Sequence, residues 1–357
     1  MVKIDALKDF YKSKTVLITG HTGFKGSWLC QILLNLGAKV VGYSLEPPTE
    51  PNLFNILNLG NKMSSVIGDI RDYSNLLKIF NTYNPEIVFH LAAQPIVKDS
   101  YLEPLYTYET NVLGTANVCE CIRNTNCVKS FLNVTTDKVY LNNDLNNHPF
   151  KEDEPLDGYD PYSNSKSCSE LVTHSYFKSF LKEKGIAVST ARAGNVIGGG
   201  DFADFRLIPD CYRAIHKGVA LELRNPYSTR PYQHVLEPLY CYLSLAMMQY
   251  KNKEISSSYN IGPDYDSIIN NFEVVTLFKE MEPSLVLKLQ DCSDDKQHEA
   301  KFLSLDNNKI KEVIGYKPIF SIKEAVQLSC DWYVKYLNKK DMVAETDKQI
   351  ELFFNKV

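Results

Sequence analysis

The glycine-rich turn after the first apolar run constrains the fold of this chain more than any other feature. The β-branched run KTVLIT, residues 14–19, is followed by Gly20, Gly23 and Gly26 and then by a helical stretch that ends near Gly37. Such glycines permit a tight turn and a close approach of the backbone to a diphosphate, which the free N–H groups of the following helix bind. The segment therefore predicts a dinucleotide-binding βα unit at the start of the fold.

Strand-like and helical patterns then alternate through the first half of the sequence. Further apolar runs lie at residues 38–43, 64–70, 86–94, 129–136 and 185–193. Strands that alternate with helices predict a parallel sheet covered on both faces. We therefore predict an α/β fold with a Rossmann-type doubly wound parallel sheet in residues 1–193, to which a segment near 229–255 returns. Residues 194–357 are predicted to form a smaller C-terminal substrate-binding lobe.

Composition and charge limit the classes of protein that remain. The 357 residues are 44% hydrophobic and 23% charged, which excludes a disordered chain or a coiled-coil rod. A net charge of -4 gives no electrostatic reason to expect nucleic acid or an anionic membrane as a partner. The nine cysteines contain no C-x-x-C pair, so the sequence predicts neither a disulfide framework nor a metal site and favours a cytoplasmic location. The longest apolar stretches are far shorter than a membrane span needs.

A tyrosine and a lysine at helical spacing point to acid–base chemistry. Tyr162 and Lys166 are four residues apart, which on a helix places a phenol and an ammonium on one face. A lysine cation so placed favours the phenolate and also holds ribose hydroxyls, which would make the tyrosine a usable base. The spacing alone is weak, because Tyr336 and Lys340 repeat it in a stretch that resembles a surface helix. The first pair differs because it follows the glycine turn and a strand that ends in a Thr-Thr-Asp-Lys string.

The end of the second strand bears on the choice of cofactor. An acidic residue there would bind the adenine ribose, but the sequence offers Tyr43, Ser44 and the less well placed Glu46. No arginine follows the second strand to bind the 2′-phosphate of NADP. The sequence therefore favours NAD because this arginine is missing, not because a residue that binds the NAD ribose is present. His21 and Lys25 are unusual residues beside a diphosphate, and both would be explained if their side chains pointed to solvent.

Several sequence strings in a fixed order carry a family resemblance. They are GHTGFKGSW at 20–28, GDI at 68–70, HLAAQ at 90–94, NVLGT at 111–115, TTDKVY at 135–140, GYDPYSNSK at 158–166, RAGNVIGGGD at 192–201, RLIPD at 206–210 and RPYQHVLEPL at 230–239. Over nearly its whole length the chain resembles the nucleotide-sugar 4,6-dehydratases of the extended short-chain dehydrogenase/reductase family. Within that group the strings are most similar to members that act on CDP-glucose, which implies CDP-glucose as substrate and NAD as cofactor.

The resemblance implies roles for individual residues. Those implied for catalysis are Thr136, Asp137, Lys138, Tyr162 and Lys166. Those implied for cofactor binding, in addition to Tyr162 and Lys166, are Gly20, Thr22, Gly23, Phe24, Gly26, Asp69, Ile70, Leu91, Ala92, Ala93 and Asn111. Those implied for substrate binding are Gln94, Asn195, Arg206, Leu207, Arg230, His234 and Glu299.

Some of these implied roles have a plainer alternative. In the implied reaction Asp137 donates a proton to the departing 6-hydroxyl, and Lys138, when neutral, removes the proton from C5 of the sugar. Lys138 could instead pair with Asp137 or with the substrate phosphate. Asp69 could be the N-cap of the next helix, and Asn111, expected to support Lys166 through water, could be a core amide.

Three other functions and one assembly remain open at this stage. A dehydratase of a dTDP-, GDP- or UDP-linked sugar would keep the same strings, whereas a 4-epimerase would need no acid such as Asp137 over C6. A non-catalytic NAD-binding regulator would be expected to lack Tyr162, Lys166 or Asp137, and all three are present. The resemblance also implies a homodimer, in which helices within residues 111–121 and 162–177 pair across a two-fold axis as a four-helix bundle. Burial of these helices within one subunit is the alternative.

Overall fold

The computed structural model describes residues 1–142, 148–223, 225–264, 268–289 and 302–357. Its strands are β1 (Thr15–Thr19), β2 (Lys39–Ser44), β3 (Ser64–Ile67), β4 (Ile87–His90), β5 (Ser130–Thr136), β6 (Pro149–Phe150), β7 (Ala187–Ala193), β8 (Val196–Ile197), β9 (Leu221–Leu223), β10 (Thr229–Arg230), β11 (Gln233–His234), β12 (Ser258–Ile261), β13 (Ile269–Asn270), β14 (Leu287–Leu289) and β15 (Ser304–Leu305).

The helices enclose the sheet and build the C-terminal lobe. They are α1 (Ile4–Tyr11), α2 (Phe24–Asn35), α3 (Leu53–Ile56), α4 (Tyr73–Tyr83), α5 (Val97–Leu102), α6 (Pro104–Tyr108), α7 (Gly114–Asn124), α8 (Pro161–Tyr176), α9 (Leu207–Lys217), α10 (Leu236–Lys251), α11 (Asn271–Met281), α12 (Asn308–Ile314), α13 (Ile322–Leu337) and α14 (Met342–Lys356). Short 3-10 turns lie at Leu59–Asn61, Asp137–Val139 and Lys253–Ile255, and π-helical turns at Glu109–Leu113 and Phe177–Leu181.

The centre of the molecule is a seven-stranded sheet with the order β3-β2-β1-β4-β5-β7-β12. Every neighbouring pair in it is parallel. All residues of β4, β5 and β7 are buried, as expected for strands covered by helices on both faces. The predicted Rossmann-type doubly wound sheet is therefore confirmed. Its parallel strands bring the glycine turn after β1 and the Thr-Asp-Lys string after β5 to the same edge.

Part of the chain beyond residue 193 belongs physically to this sheet. Helix α10 packs against β5, where the Ser130 hydroxyl donates to the Ala246 carbonyl oxygen at 3.0 Å. Strand β12 then pairs with β7, with Ser258 opposite Thr190. The returning segment and the boundary at residue 193 stay predictions, because the position of a lobe boundary depends on which contacts are assigned to each lobe. Within the described residues, no helix is both long enough and apolar enough to cross a lipid bilayer.

Candidate active site

The glycine turn between β1 and α2 is shaped to receive a diphosphate. Gly20 has a φ of +77°, and a Cβ there would lie 2.7 Å from the backbone nitrogen of Ala92. A Cβ on Gly26 would lie 2.1 Å from the Gly20 carbonyl oxygen, so neither position tolerates a side chain. A Cβ on Gly23 would meet only the same Gly20 oxygen, at 3.5 Å. Gly23 is the N-cap of α2, and no side chain caps this helix. The first N–H groups of α2 therefore face an open cradle that suits the pyrophosphate of NAD.

His21 does not point to solvent. Its ring is fully buried beneath the glycine turn, with Nε2 2.7 Å from the Ser65 hydroxyl and Nδ1 3.0 Å from the Ser44 hydroxyl. Burial lowers the pKa of His21 to about 4, so the ring is neutral. The Thr22 hydroxyl lies 2.9 Å from the same Ser44 hydroxyl. Ser44, the residue left at the ribose-recognition position of β2, is thereby tied to the turn.

The ends of β3 and β4 flank the outer part of this groove. Asp69 is not the N-cap of α4, because Asp72 occupies that position. The Asp69 carboxylate instead pairs with the Arg71 guanidinium at 2.7 Å. Ile70 is buried. The Leu91 backbone nitrogen donates to the carbonyl oxygen of Thr19, and Ala92 and Ala93 follow directly beside the glycine turn. A depression of about 470 Å³ opens here; its lining residues are Asp69, Arg71, Asp72, Glu109, Leu113 and Asn117.

The tyrosine and lysine lie on one face of α8, against the end of β5. Asp160 caps this helix by accepting from the Ser163 backbone nitrogen at 2.9 Å, which fixes Tyr162 in the first turn. The Tyr162 phenol lies near the Thr136 side chain, which acts on its pKa. Lys166 is buried and donates to the Val134 carbonyl oxygen at 3.1 Å. The structure thus brings the three predicted residues together.

The electrostatics of Tyr162 differ from the expectation that Lys166 lowers its pKa. Burial raises the pKa of Tyr162 to about 12. The Thr136 side chain and the charge of Arg206 oppose this rise in the pKa, whereas the charge of Asp137 adds to it. Removing the phenol from water outweighs the nearby positive charge. Burial also lowers the pKa of Lys166 to about 8, against the attraction of a carboxylate one turn further along the helix.

The acid and the second lysine form a hydrogen-bonded pair directly after Thr136. The Lys138 ammonium donates to Asp137 Oδ1 at 2.9 Å, and the Thr136 hydroxyl donates to the same oxygen at 3.0 Å. Asp137 is fully buried, and among the described residues its Oδ2 atom has no hydrogen-bond partner. A Cβ on Gly194 would come 3.2 Å from that oxygen. One oxygen of this carboxyl group is therefore held by two hydrogen bonds, and the other is buried without a partner beside a glycine.

Two cations from different elements complete the charge of the site. Arg206 precedes α9, whose first residue is Leu207, and its guanidinium pairs with Asp201 at 2.8 Å. The attraction between Arg206 and Tyr162 acts on the pKa values of both groups, so the guanidinium lies near the phenol. Lys25 in the first turn of α2 also faces this group: burial first, then the charges of Arg206 and Lys166, lower the pKa of Lys25 to about 7. It does not point to open solvent.

Two predicted binding residues have structural partners. The Gln94 side chain donates to the Ile96 carbonyl oxygen and to the Thr107 hydroxyl, at 3.1 and 3.0 Å, and its contact with substrate stays a prediction. Asn111 accepts from the Gln94 backbone nitrogen at 2.8 Å and donates to Gln94 O and to the Ser165 hydroxyl. The plainer interpretation of Asn111 as a core amide fits these contacts, since all three of its polar bonds join the loop after β4 to α8.

The structure places His234 in the core, and its contact with substrate stays a prediction. The ring is fully buried between Trp28 and Phe320, at centroid distances of 6.1 and 5.5 Å. Burial lowers the pKa of His234 to about 3. The neutral ring packs against aromatic side chains, and its Nε2 atom has no hydrogen-bond partner among the described residues.

The remaining predicted substrate contacts are placed only in part. Arg230 is 3% exposed on β10, where its guanidinium donates to the Thr229 carbonyl oxygen at 2.9 Å. Asn195 follows Gly194 and accepts a backbone hydrogen bond from Gln233 at 2.9 Å. Glu299 lies outside the described residues. The contacts of these residues with substrate stay predictions.

Comparisons with known proteins agree with this geometry. The profile of the family described as GDP-mannose 4,6 dehydratase matches residues 17–328. The CDP-glucose 4,6-dehydratase of Salmonella typhimurium is 41% identical over 96% of this chain and 97% of its own length. Two solved structures share the fold. The first is the dTDP-glucose 4,6-dehydratase of Bacillus anthracis in complex with NAD, with a TM-score of 0.74, 21% identity and coverage of 93% of this chain and 100% of that one. The second is the UDP-glucose 4-epimerase of Thermus thermophilus in complex with NAD, with a TM-score of 0.78, 22% identity and coverage of 90% of this chain and 99% of that one.

The match to the profile covers most of the chain, and the match to the Salmonella enzyme extends almost from end to end. The strings that suggested the family are those that form the glycine cradle and the Thr136, Asp137, Tyr162 and Lys166 cluster. Sequence, fold and site geometry lead to one assignment: this chain belongs to the GDP-mannose 4,6 dehydratase family of nucleotide-sugar dehydratases.

Proposed function

We propose that the protein is an NAD-dependent hydro-lyase that converts CDP-glucose to CDP-4-dehydro-6-deoxyglucose. The observation that carries the proposal is Oδ2 of Asp137, a buried carboxyl atom without a partner among the described residues, near the tyrosine that starts the reaction. The similarity to a CDP-glucose 4,6-dehydratase supports CDP as the nucleotide. The glycine cradle supports NAD, which when bound accepts hydride from C4 of the sugar and returns it to C6.

The first proton transfer falls to Tyr162. Its phenolate removes the proton from the 4-hydroxyl as the C4–H bond breaks, which leaves a ketone at C4. Thr136 lies beside the phenol and would orient it. Arg206 supplies positive charge near the phenolate oxygen, where negative charge is otherwise costly in a buried site, and Lys166 lies one turn further along the same helix face.

Water loss falls to the Asp137–Lys138 pair. The ketone at C4 acidifies the C5 proton, which the neutral Lys138 amine removes while the C6–O bond breaks. Asp137 donates its proton from Oδ2 to the departing hydroxyl, and one water leaves. The Lys138 ammonium would then give a proton back to C5, and the hydride would return to C6, which completes a 4-keto-6-deoxy sugar.

A homodimer in the cytoplasm is the proposed setting. Large apolar side chains are exposed on the helices beside the site; they are Leu102 (71%), Leu105 (71%), Leu113 (58%), Leu171 (55%) and Phe180 (43%). An apolar surface of this kind is commonly covered by a second copy of the chain. The eight cysteines in the described part of the chain are all free thiols, as a reducing compartment favours. Sedimentation equilibrium distinguishes the dimer from a monomer.

A panel of nucleotide sugars tests the activity. The purified protein with NAD is incubated separately with CDP-, dTDP-, GDP- and UDP-glucose, and the 4-keto-6-deoxy product is measured by its absorbance in alkali and by mass. We expect a product with CDP-glucose that has lost one water, and none with Tyr162→Phe. Product from another nucleotide sugar alone reassigns the base. A product of unchanged mass with inverted C4 reassigns the reaction to a 4-epimerase.

A further inference from the structure

A buried ion pair lies directly beneath the active site. Glu170 and Arg192 are 3% and 2% exposed, and their side chains make two contacts, Nε to Oε1 at 3.1 Å and Nη2 to Oε2 at 3.0 Å. Burial favours the neutral acid, but the charge and hydrogen bonds of Arg192 outweigh it and hold the pKa of Glu170 below its usual value. Glu170 is therefore an anion at neutral pH.

This pair joins the elements that carry the catalytic groups. Glu170 accepts from the Thr135 hydroxyl at 2.5 Å, on the residue that precedes Thr136. It also accepts from the Thr190 hydroxyl of β7 at 2.6 Å. Arg192 donates to the Tyr140 hydroxyl at 2.8 Å, on the segment that follows the Asp137–Lys138 pair. Helix α8, strand β5 and the turn after β5 are thus held to one carboxylate–guanidinium unit.

Glu170 also faces the catalytic lysine along its own helix. Tyr162, Lys166 and Glu170 follow at intervals of four residues, so they share one face of α8. Burial lowers the pKa of Lys166 to about 8, and the negative charge of Glu170 opposes that fall. The carboxylate helps to keep Lys166 protonated where water is excluded.

Stability alone is a weak reason for this pair. Two charges removed from water lose hydration that their mutual attraction only partly restores, and apolar replacements are often as stable. The contacts of Glu170 instead converge on groups that the reaction uses. Resting on the proposed function, we propose that Glu170, clamped by Arg192, is a positioning residue that seats Thr136 and Asp137 against α8 and keeps Lys166 charged.

Other titratable groups surround these residues and enter any pH profile. Those near the ion pair are His174 on α8, Tyr140 after β5, Glu152 after β6 and Lys309 on α12. Those near Lys166 are His90 on β4 and Lys25 on α2. His90 is uncharged at neutral pH because burial, followed by the charge of Lys166, lowers its pKa to about 3. Lys25, with a pKa of about 7, is the group that must be separated from Lys166.

The test compares kcat as a function of pH for the wild-type protein, Glu170→Gln and Glu170→Asp at saturating CDP-glucose and NAD. We expect Glu170→Gln to lower kcat by about 10²-fold through misplacement of the site, and to move the alkaline limb to lower pH because Lys166 loses its proton more easily. Glu170→Asp keeps the charge, so kcat falls while the limb stays in place. Repeating the series in a Lys25→Met background assigns the limb that moves.

Competitive labelling with acetic anhydride measures the pKa of Lys166 without turnover, so its result stands even if CDP-glucose is not the substrate. A lower pKa of Lys166 in Glu170→Gln than in Glu170→Asp supports the proposal. An equal pKa and an unmoved limb in both variants overturn it and leave the pair a packing feature. If Glu170→Gln does not fold, Glu170→Gln/Arg192→Gln removes both charges and is judged by the same two outcomes.

Discussion

The two ends of β5 and β7 use polar side chains in different ways. At the amino end, Gln249 of α10 donates to the Ser130 hydroxyl at 2.8 Å and to the Phe131 carbonyl oxygen at 3.0 Å, and accepts from the Ser189 hydroxyl at 2.6 Å. Every group in this cluster is neutral. At the carboxyl end, a few residues further along the same strands, the cluster contains an acid, cations and a carboxyl oxygen without a partner.

The difference separates polar groups that hold the fold together from polar groups that can take part in a reaction. Most buried polar groups are paired, because an unpaired group inside a protein costs free energy. A few neutral side chains of the described residues also leave one buried atom without a partner, but among these side chains Asp137 is the acid, and it lies where the parallel strands end and a ligand can approach. The contrast yields three further predictions.

The largest effect is expected from Asp137→Asn. The amide keeps the size of the side chain but has no acidic proton for the departing hydroxyl, so kcat should fall by about 10³-fold. Oxidation at C4 does not need this group, and reduced cofactor should accumulate. Stopped-flow absorbance of the nicotinamide and a product assay measure the two steps. Turnover close to that of the wild-type protein would remove Asp137 from the mechanism.

A smaller loss, about 10²-fold in kcat, is expected from Lys138→Met, because the C5 proton loses its base. In deuterium oxide the wild-type product should carry deuterium at C5, and the variant should incorporate it far more slowly. Mass spectrometry and proton NMR of the product report this directly. Wild-type incorporation would mean that Lys138 serves only to pair with Asp137.

The smallest effect on activity is expected at the neutral end of the strands. Gln249→Leu leaves Ser130 and Ser189 without their partner and should lower the free energy of unfolding by about 2 kcal/mol. Because the cluster lies away from the reacting groups, kcat should not change once the variant is folded. Urea unfolding and the product assay test the two statements; a loss of kcat without a loss of stability would contradict the division between the two ends.

The sequence predicted the fold and the centre of the site, but not its surroundings. The alternation of strands and helices, with glycines after the first strand, is local information, and the order of elements was enough to bring Thr136, Tyr162 and Lys166 together. The burial of His234 depends on Trp28 and Phe320, which are far away in sequence, so a motif string alone does not reveal it. The sign of the Tyr162 shift likewise depends on how much water the fold removes.

The ion pair beneath the site left a partial trace. Glu170 lies four residues after Lys166, a spacing that places it on the catalytic face of α8. Its partner Arg192 comes from β7, and only the sheet register brings the two together. Lys25 also left a partial trace, because the sequence places it in the glycine turn. The cations around it could not be foreseen, since Lys166 comes from α8, Arg206 from the residue before α9 and Lys138 from the turn after β5.

The last strand of the central sheet has a consequence for synthesis. Strand β12, Ser258–Ile261, covers the edge of β7 but is translated well after it. A nascent chain that has emerged only as far as residue 193 exposes the unpaired edge of β7, which can pair with another chain. The ribosome must therefore release more than 60 further residues before this domain can close, and during that interval the edge of β7 is accessible to a chaperone.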